Sequence, residues 1–266
     1  MTESLRVLCV MAHPDDESLG VGGLLARYAA EGVETYLLTA THGERGWSGD
    51  PAADPGLEEM ARIRTVELQG ATAKLRLTAY EILNYIDGDL DQAPPEQITA
   101  EIAAAIRRWR PQVVVTFAPD GAYGHPDHIA ISQFTTAALL RAQDPAVTGA
   151  APYRVSKLYY FVNTNQQTEA YQALFGQVTM EVNGVARGMI TWPDWAVTTR
   201  VDTYDYRHIV LQAIQCHQSQ IEMATGLANI SDEMQKKMLG CQMLYRAMSL
   251  VNGGSAVEKD IFKGIR

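Results

Sequence analysis

Cysteine is scarce in this chain of 266 residues: Cys9, Cys216 and Cys241 are the only three, and no two stand as C-x-x-C. The odd count and wide spacing argue against a disulfide framework and exclude a cysteine-rich zinc site. Cys9, inside an apolar run, reads as a small core residue. Basic charge is also short. Against 31 Asp and Glu there are 22 Lys and Arg, a formal net charge of −9. That leaves no basic stripe for nucleic acid and no support for an electrostatic membrane anchor. No stretch approaches the roughly 20 consecutive apolar residues of a membrane helix. The N-terminus MTESLRVLCV has no basic segment ahead of a long apolar core, so it does not read as a signal peptide. Internal repeats, low-complexity tracts and a dividing linker are absent too. What is present is ordinary globular material, 47% apolar and 20% charged, enough for a substantial core. The expectation is one cytoplasmic domain over residues 1–266.

The first half alternates between two periodicities. RVLCVMA, VETYLLTAT, AYEILNYI, QVVVTF and KLYYFV read as strands. Between them GLLARYAAEG, LEEMARIRTVELQGATAKL, PPEQITAEIAAAIRRWR and HPDHIAISQFTTAALLRA read as helices, and THGERGWSGDPAADPG as a loop. Such alternation predicts an α/β fold, a Rossmann-like, mostly parallel sheet with helices on both faces. In the second half, DTYDYRHIVLQAIQCHQSQI and SDEMQKKMLGCQMLYRAM each read as helical. In open α/β sheets ligands bind beyond the carboxyl ends of the strands. AHPDDE, THGERGW and APDGAYGHPDH each follow a strand, so all three polar loops belong at one edge.

Two of those loops share a pattern: His13-Pro14-Asp15-Asp16 and His125-Pro126-Asp127-His128. Positions i and i+3 share a face on a first helical turn. So His13 can converge with Asp16, and His125 with His128. Proline in second place suits a first helical residue, whose N–H has no partner, and a helix N-terminus stabilises aspartate. Either cluster alone is as well explained by an N-capping turn. Two of them, each following a strand, point to a site. Two histidines and a carboxylate are a common catalytic metal set with a position open for water. Zinc is the first expectation; iron(II), cobalt and manganese suit the same ligands. A metal brings the pKa of bound water towards ~7, and a spare aspartate beside it, Asp15, would act as general base.

AHPDDE with HPDH in mid-chain resembles the LmbE-like, or PIG-L, family of zinc-dependent N-deacetylases, which act on N-acetylglucosamine joined to another moiety. The resemblance extends over IRTVEL and GAYGHPDH, and weakly to the HQSQ of residues 217–220. It implies one Zn2+ per chain held by His13, Asp16 and His128, with Asp15 as general base. It implies that His125, as imidazolium, stabilises the oxyanion and protonates the leaving amine. Asp127 would orient its neighbours, Tyr123 would touch the intermediate, and Arg64 would lie near the sugar. The implied partner is a small aminosugar conjugate, and the implied reaction is hydrolysis of its N-acetyl group. An amidase removing a larger acyl group would use the same residues. The aglycone and the oligomeric state stay open; several relatives form multimers.

Other residues weigh less. His42 is a candidate substrate contact at the same sheet edge, set against a loop histidine with no part in catalysis. Glu44 and Arg45 are similar. Glu17 reads as a partner of the helix N-terminus rather than of the metal. His217 fits the family's C-terminal pattern, and a packing role fits it equally. The glycines of GVGG, residues 20–23, form an incomplete dinucleotide signature. Trp47, Trp192 and Trp195 could stack on a sugar, though large aromatics more often pack. A non-haem iron oxygenase shares the ligand set but not the α/β pattern. A decayed sugar-binding module would not need both Asp15 and His125.

Overall fold

The computed structural model describes residues 4–47, 49–147, 149–177, 179–220 and 230–266. Ser48 of the expected loop and Ile221, the last residue of an expected helix, lie outside them, as do the first three residues of the expected leaderless N-terminus.

Five parallel strands form the body of the sheet: β1 (Arg6–Met11), β2 (Glu34–Thr41), β3 (Ala79–Tyr85), β4 (Val113–Phe117) and β5 (Lys157–Phe161). Two further strands, β8 (Thr199–Asp202) and β9 (Cys241–Ser249), complete it, in the order β3-β2-β1-β4-β5-β9-β8. The central strand β1 is flanked on both sides, and Val7 to Met11 are fully buried, so it must be apolar throughout. Cys9 is among them, a core residue as expected. The first five strands run in the Rossmann order 3-2-1-4-5.

The helices lie in two groups. On one side α4 (Pro95–Trp109) packs on α6 (Pro126–Gln143); on the other α2 (Gly22–Ala30) and α3 (Leu57–Leu75) pack on α8 (Arg207–Ile214). α4 shows why such a segment is helical. Ile98, Ile102 and Ile106 recur every four residues and are buried, Pro95 opens it, and Arg107 and Arg108 close it. Buried residues from Val7 to Phe262 join in one main core cluster. Among the described residues, no helix is long and apolar enough to cross a membrane.

The second half departs from expectation in three ways. SDEMQKKMLGCQMLYRAM is not one helix: the helix Asp232–Leu239 stops at Gly240, and the rest is β9. β9 pairs antiparallel with β5 on one side and β8 on the other, and this pairing overrides the helical preference of its Met, Leu, Arg and Ala. The helix expected over residues 202–221 covers only Arg207–Ile214. An antiparallel hairpin, β6 (Thr179–Val182) with β7 (Val185–Gly188), was not foreseen.

Candidate active site

The two histidine clusters arrive from different strands and different local structures. HPDH behaves as its sequence implies: His125 is the N-cap of α6, its Nδ1 accepts the Asp127 N–H at 3.1 Å, and Pro126 is the first helical residue. HPDD does not. The short helix α1 (Asp16–Leu19) begins only at Asp16, and Pro14 lies in the turn before it. Asp15 is the N-cap with φ 110°, ψ −29°, in the positive-φ region that non-glycine residues rarely occupy. His13 and Asp16 still converge, because Asp16 Oδ2 accepts the N–H groups of Ala12 (3.1 Å) and His13 (2.8 Å).

His13, Asp16 and His128 meet at one point. His128 Nε2 lies 3.2 Å from His13 Nδ1 and 3.5 Å from Asp16 Oδ1, and His13 Nδ1 lies 3.7 Å from Asp16 Oδ2. The tautomers follow from the far nitrogens. His128 Nδ1–H donates to the Gly121 carbonyl at 3.2 Å. His13 Nε2–H faces Asp127 Oδ2 and Asp87 Oδ1, each at 3.0 Å. Both lone pairs therefore turn towards each other, which requires a proton or a cation between them. Two ligands roughly 2.0 to 2.2 Å from one tetrahedral ion stand about 3.3 to 3.6 Å apart. The three separations bracket that range, so the donor set fits a divalent metal.

Electrostatics point the same way. Burial opposes a charge on His13, but the Asp127 and Asp87 carboxylates drive its pKa up to about 10. Burial raises Asp16 to about 7, with His13 opposing. His128 is pushed well below its ordinary value by burial and by the His13 charge. The cluster thus draws a positive charge onto the point where its ligand atoms meet.

Asp127 is fully buried and is not a free ligand. Its Oδ2 accepts from Gly88 N–H (2.7 Å) as well as His13, and its Oδ1 from Leu90 N–H (3.1 Å). His13, His125 and Asp127 also cluster closely enough to suggest a second metal set, but these backbone donors fix Asp127 as the acceptor that orients His13. Asp87 was missed in the sequence. It follows β3 in IDGD, at the same edge as the other loops, and that placement alone was the available signal. Although burial raises its pKa, the bond to His13 holds it down at about 2.

Asp15, Asp16, Tyr123 and His128 line a cavity of about 290 Å3, together with Leu19, Phe161, Asn163, Gln167, Tyr171 and Ile214. Burial raises the Asp15 carboxyl above its usual range, with Arg64 opposing. The other expected residues differ in placement. Arg64, expected near the sugar, is 3% exposed and sits behind Asp15. It donates to Asp15 Oδ2 (2.9 Å), Gly43 O (2.9 Å) and Pro14 O, because α3 docks its face against the two loops. His42 is turned away, with Nδ1 on Thr65 Oγ1 (2.9 Å) and Nε2 on Asn84 Oδ1 (3.1 Å). His125 stacks beside His128, ring centroids 4.6 Å apart. Burial and the His13 charge lower its pKa to about 4, and its Nδ1 is taken up as an acceptor. With Nδ1 accepting, the ring N–H lies on Nε2; the resemblance implied an imidazolium. Burial raises the Tyr123 phenol, which stays protonated.

Glu44 accepts the Asp87 N–H at 3.0 Å, and Arg45 pairs with Asp89 at 2.6 Å. No tryptophan is among the cavity-lining residues: Trp192 Nε1–H donates to Asp120, Trp47 Nε1–H to the Asp50 carbonyl, and Trp195 is 87% exposed. Gly23 of GVGG admits Thr203, which a Cβ would meet at 2.8 Å; its role is close packing.

The chain is similar to known proteins along its length. The model of the family described as PIG-L, GlcNAc-PI de-N-acetylase, matches residues 8–139. A 1D-myo-inositol 2-acetamido-2-deoxy-alpha-D-glucopyranoside deacetylase from Kineococcus radiotolerans is 33% identical, over 98% of this chain and 83% of its own. A mycothiol S-conjugate amidase from Streptomyces coelicolor is 31% identical, over 100% of this chain and 99% of its own. Among solved structures, N,N'-diacetylchitobiose deacetylase from Pyrococcus horikoshii is 20% identical with TM-score 0.67, covering 92% of this chain and 84% of that one; this likeness is one of fold. With relatives this similar along nearly its whole length, the chain belongs to the PIG-L family of de-N-acetylases.

Proposed function

We propose that this chain is a divalent-metal-dependent hydrolase that removes the N-acetyl group from an N-acetylglucosamine-bearing conjugate. His13, Asp16 and His128 would hold the metal, and Asp15 would take the proton from water. The observation that carries this reading is the facing pair of ring lone pairs at 3.2 Å, with Asp15 at the same cavity and outside the ligand set. The aminosugar is supported by the activities of the relatives. A cation held there supplies Lewis acidity and brings water towards ionisation near neutral pH. Zinc heads the candidates for this donor set, with iron(II) next.

The remaining chemistry is the protein's own. Arg64 occupies Asp15 Oδ2, which leaves Oδ1 to accept a water proton as oxygen attacks the acyl carbon. His125 Nε2–H and the Tyr123 hydroxyl are donors for the oxygen that gains charge, and one good donor is worth about 3 to 4 kcal/mol. The proton on Asp15 then passes to the departing nitrogen as the C–N bond breaks. Both water protons end on that nitrogen, so water and amide become acetate and the protonated amine, and Asp15 is regenerated. Asp127 and Asp87 keep His13 in the tautomer that offers Nδ1.

A second reading, an amidase acting on a larger acyl group, is favoured by the apolar residues Leu19, Phe161 and Ile214 in the cavity lining and by the amidase relative. One experiment separates the two. Acetate release is measured from a panel of N-acetylglucosamine conjugates, beside matched conjugates with longer N-acyl chains, using metal-loaded and chelator-stripped protein. Acetate release that stops on stripping supports the deacetylase. Turnover of the longer acyl chains alone would favour the amidase.

A further inference from the structure

Three buried side chains have no part in the chemistry above: Glu17, His217 and Glu67. Glu17 is fully buried and His217 is 2% exposed, 200 residues apart in sequence, and they form an ion pair with Nε2 to Oε1 at 2.8 Å. The other Glu17 oxygen, Oε2, accepts the backbone N–H of Asp15 at 2.9 Å. Next along the chain, Ser219 N–H and Oγ–H both donate to Glu67, and Gln220 Nε2 donates to the Gly46 carbonyl at 2.8 Å. HQSQ is thus a clasp in which three side chains each grip a different N-terminal element.

We propose that the Glu17–His217 pair is a positioning device for Asp15. Asp15 holds a positive φ of 110°, a conformation that persists only when its surroundings over-determine it. Two holds do so: Arg64 on the carboxylate and Glu17 on the amide. The second hold needs a buried carboxylate kept in one orientation, and a buried charge without a partner is unstable. Among the described residues, His217 is the one cation that Glu17 pairs with. Among the described residues its Nδ1 is buried without a partner, and the ring's polar contact is with Glu17. His217 therefore acts on the reaction through Glu17 and the Asp15 backbone, without touching substrate.

The inference rests on Asp15 as the base, and its test has an arm independent of activity. His217→Ala and His217→Gln are compared with the wild type in metal content, kcat, KM and amide exchange. The expected result for His217→Ala is unchanged metal content and KM, with kcat lowered roughly 10- to 100-fold, the scale of a small misplacement of a reacting group. Exchange in the peptide covering residues 12–20 should rise about tenfold while β1 stays protected. His217→Gln brings an amide N–H to Glu17 and should restore part of both, and it replaces His217→Ala should that variant not fold. A folded His217→Ala with kcat within about twofold of wild type, or with unchanged exchange at 12–20, would overturn the proposal. So would a loss of kcat that follows loss of metal. If the wild type releases no acetate, the deacetylase reading fails, and the exchange arm still decides whether the pair holds Asp15.

Discussion

Asp15 is the proposed base, and the residues around it show what a sequence can and cannot reveal. Replacing it by Asn keeps its shape and removes the proton acceptor. Asp15→Asn should lower kcat by about 10²- to 10⁴-fold, with metal content unchanged when measured on the dialysed protein. Asp127→Asn acts differently. It removes the carboxylate that orients His13, and metal affinity should fall about 10- to 100-fold. Competition with a chromogenic chelator reads that change, and excess metal should return much of the activity. His13 and Asp16 were marked by lying three positions apart just after a strand, and His128 by closing the matching HPDH cluster after another. Arg64 was assigned to the sugar and lies behind Asp15, because its place depends on how α3 docks and not on its own neighbours. Asp87 was missed for a related reason: IDGD has no histidine to mark it, and only the topology brings it to His13.

At the scale of elements, the first five strands were readable from their apolar runs and the turns between them. β9 was not, because CQMLYRAMS contains no β-branched residue and its pairing partners lie far away in sequence. HPDD and HPDH look alike in sequence, yet one is a strained turn and the other a helix cap; what differs is where the helix can start. Close packing between elements is equally invisible in a sequence. Gly23, in the first turn of α2, leaves room for Thr203. Gly23→Ala should therefore destabilise the fold by about 1 to 3 kcal/mol, although alanine favours a helix. Urea unfolding measures it, and a stabilised variant would contradict the packing account.

Across the whole molecule, the second half completes both the sheet and the cavity. A buried network anchors it: Glu258 accepts from Lys157 Nζ and Arg246 Nη1, each at 2.9 Å, and from Thr199 Oγ1 at 3.0 Å. Burial raises the Glu258 carboxyl, but the Tyr159, Asn252 and Lys157 donors bring it down to about 2. Burial lowers Lys157, with Glu258 opposing. A depressed carboxylate contributes stability that is complete above its ordinary pKa of about 4.3 and is lost as pH falls towards 2. Glu258→Gln, which leaves the buried Lys157 and the partly buried Arg246 short of a carboxylate, should cost about 3 to 5 kcal/mol at pH 7. The difference in unfolding midpoint from wild type should shrink steadily as the pH is lowered below about 4. A difference independent of pH would contradict the charge account.

The same convergence of distant segments makes His13, Asp16 and His128 one site. The most direct measurement of that claim is zinc titration of chelator-stripped protein while acetate release from an N-acetylglucosamine conjugate is followed. The account predicts no release at the start, a linear rise, and saturation at one equivalent per chain, with His128→Ala failing to saturate there. Undiminished release from stripped protein, or saturation at one equivalent in His128→Ala, would contradict it.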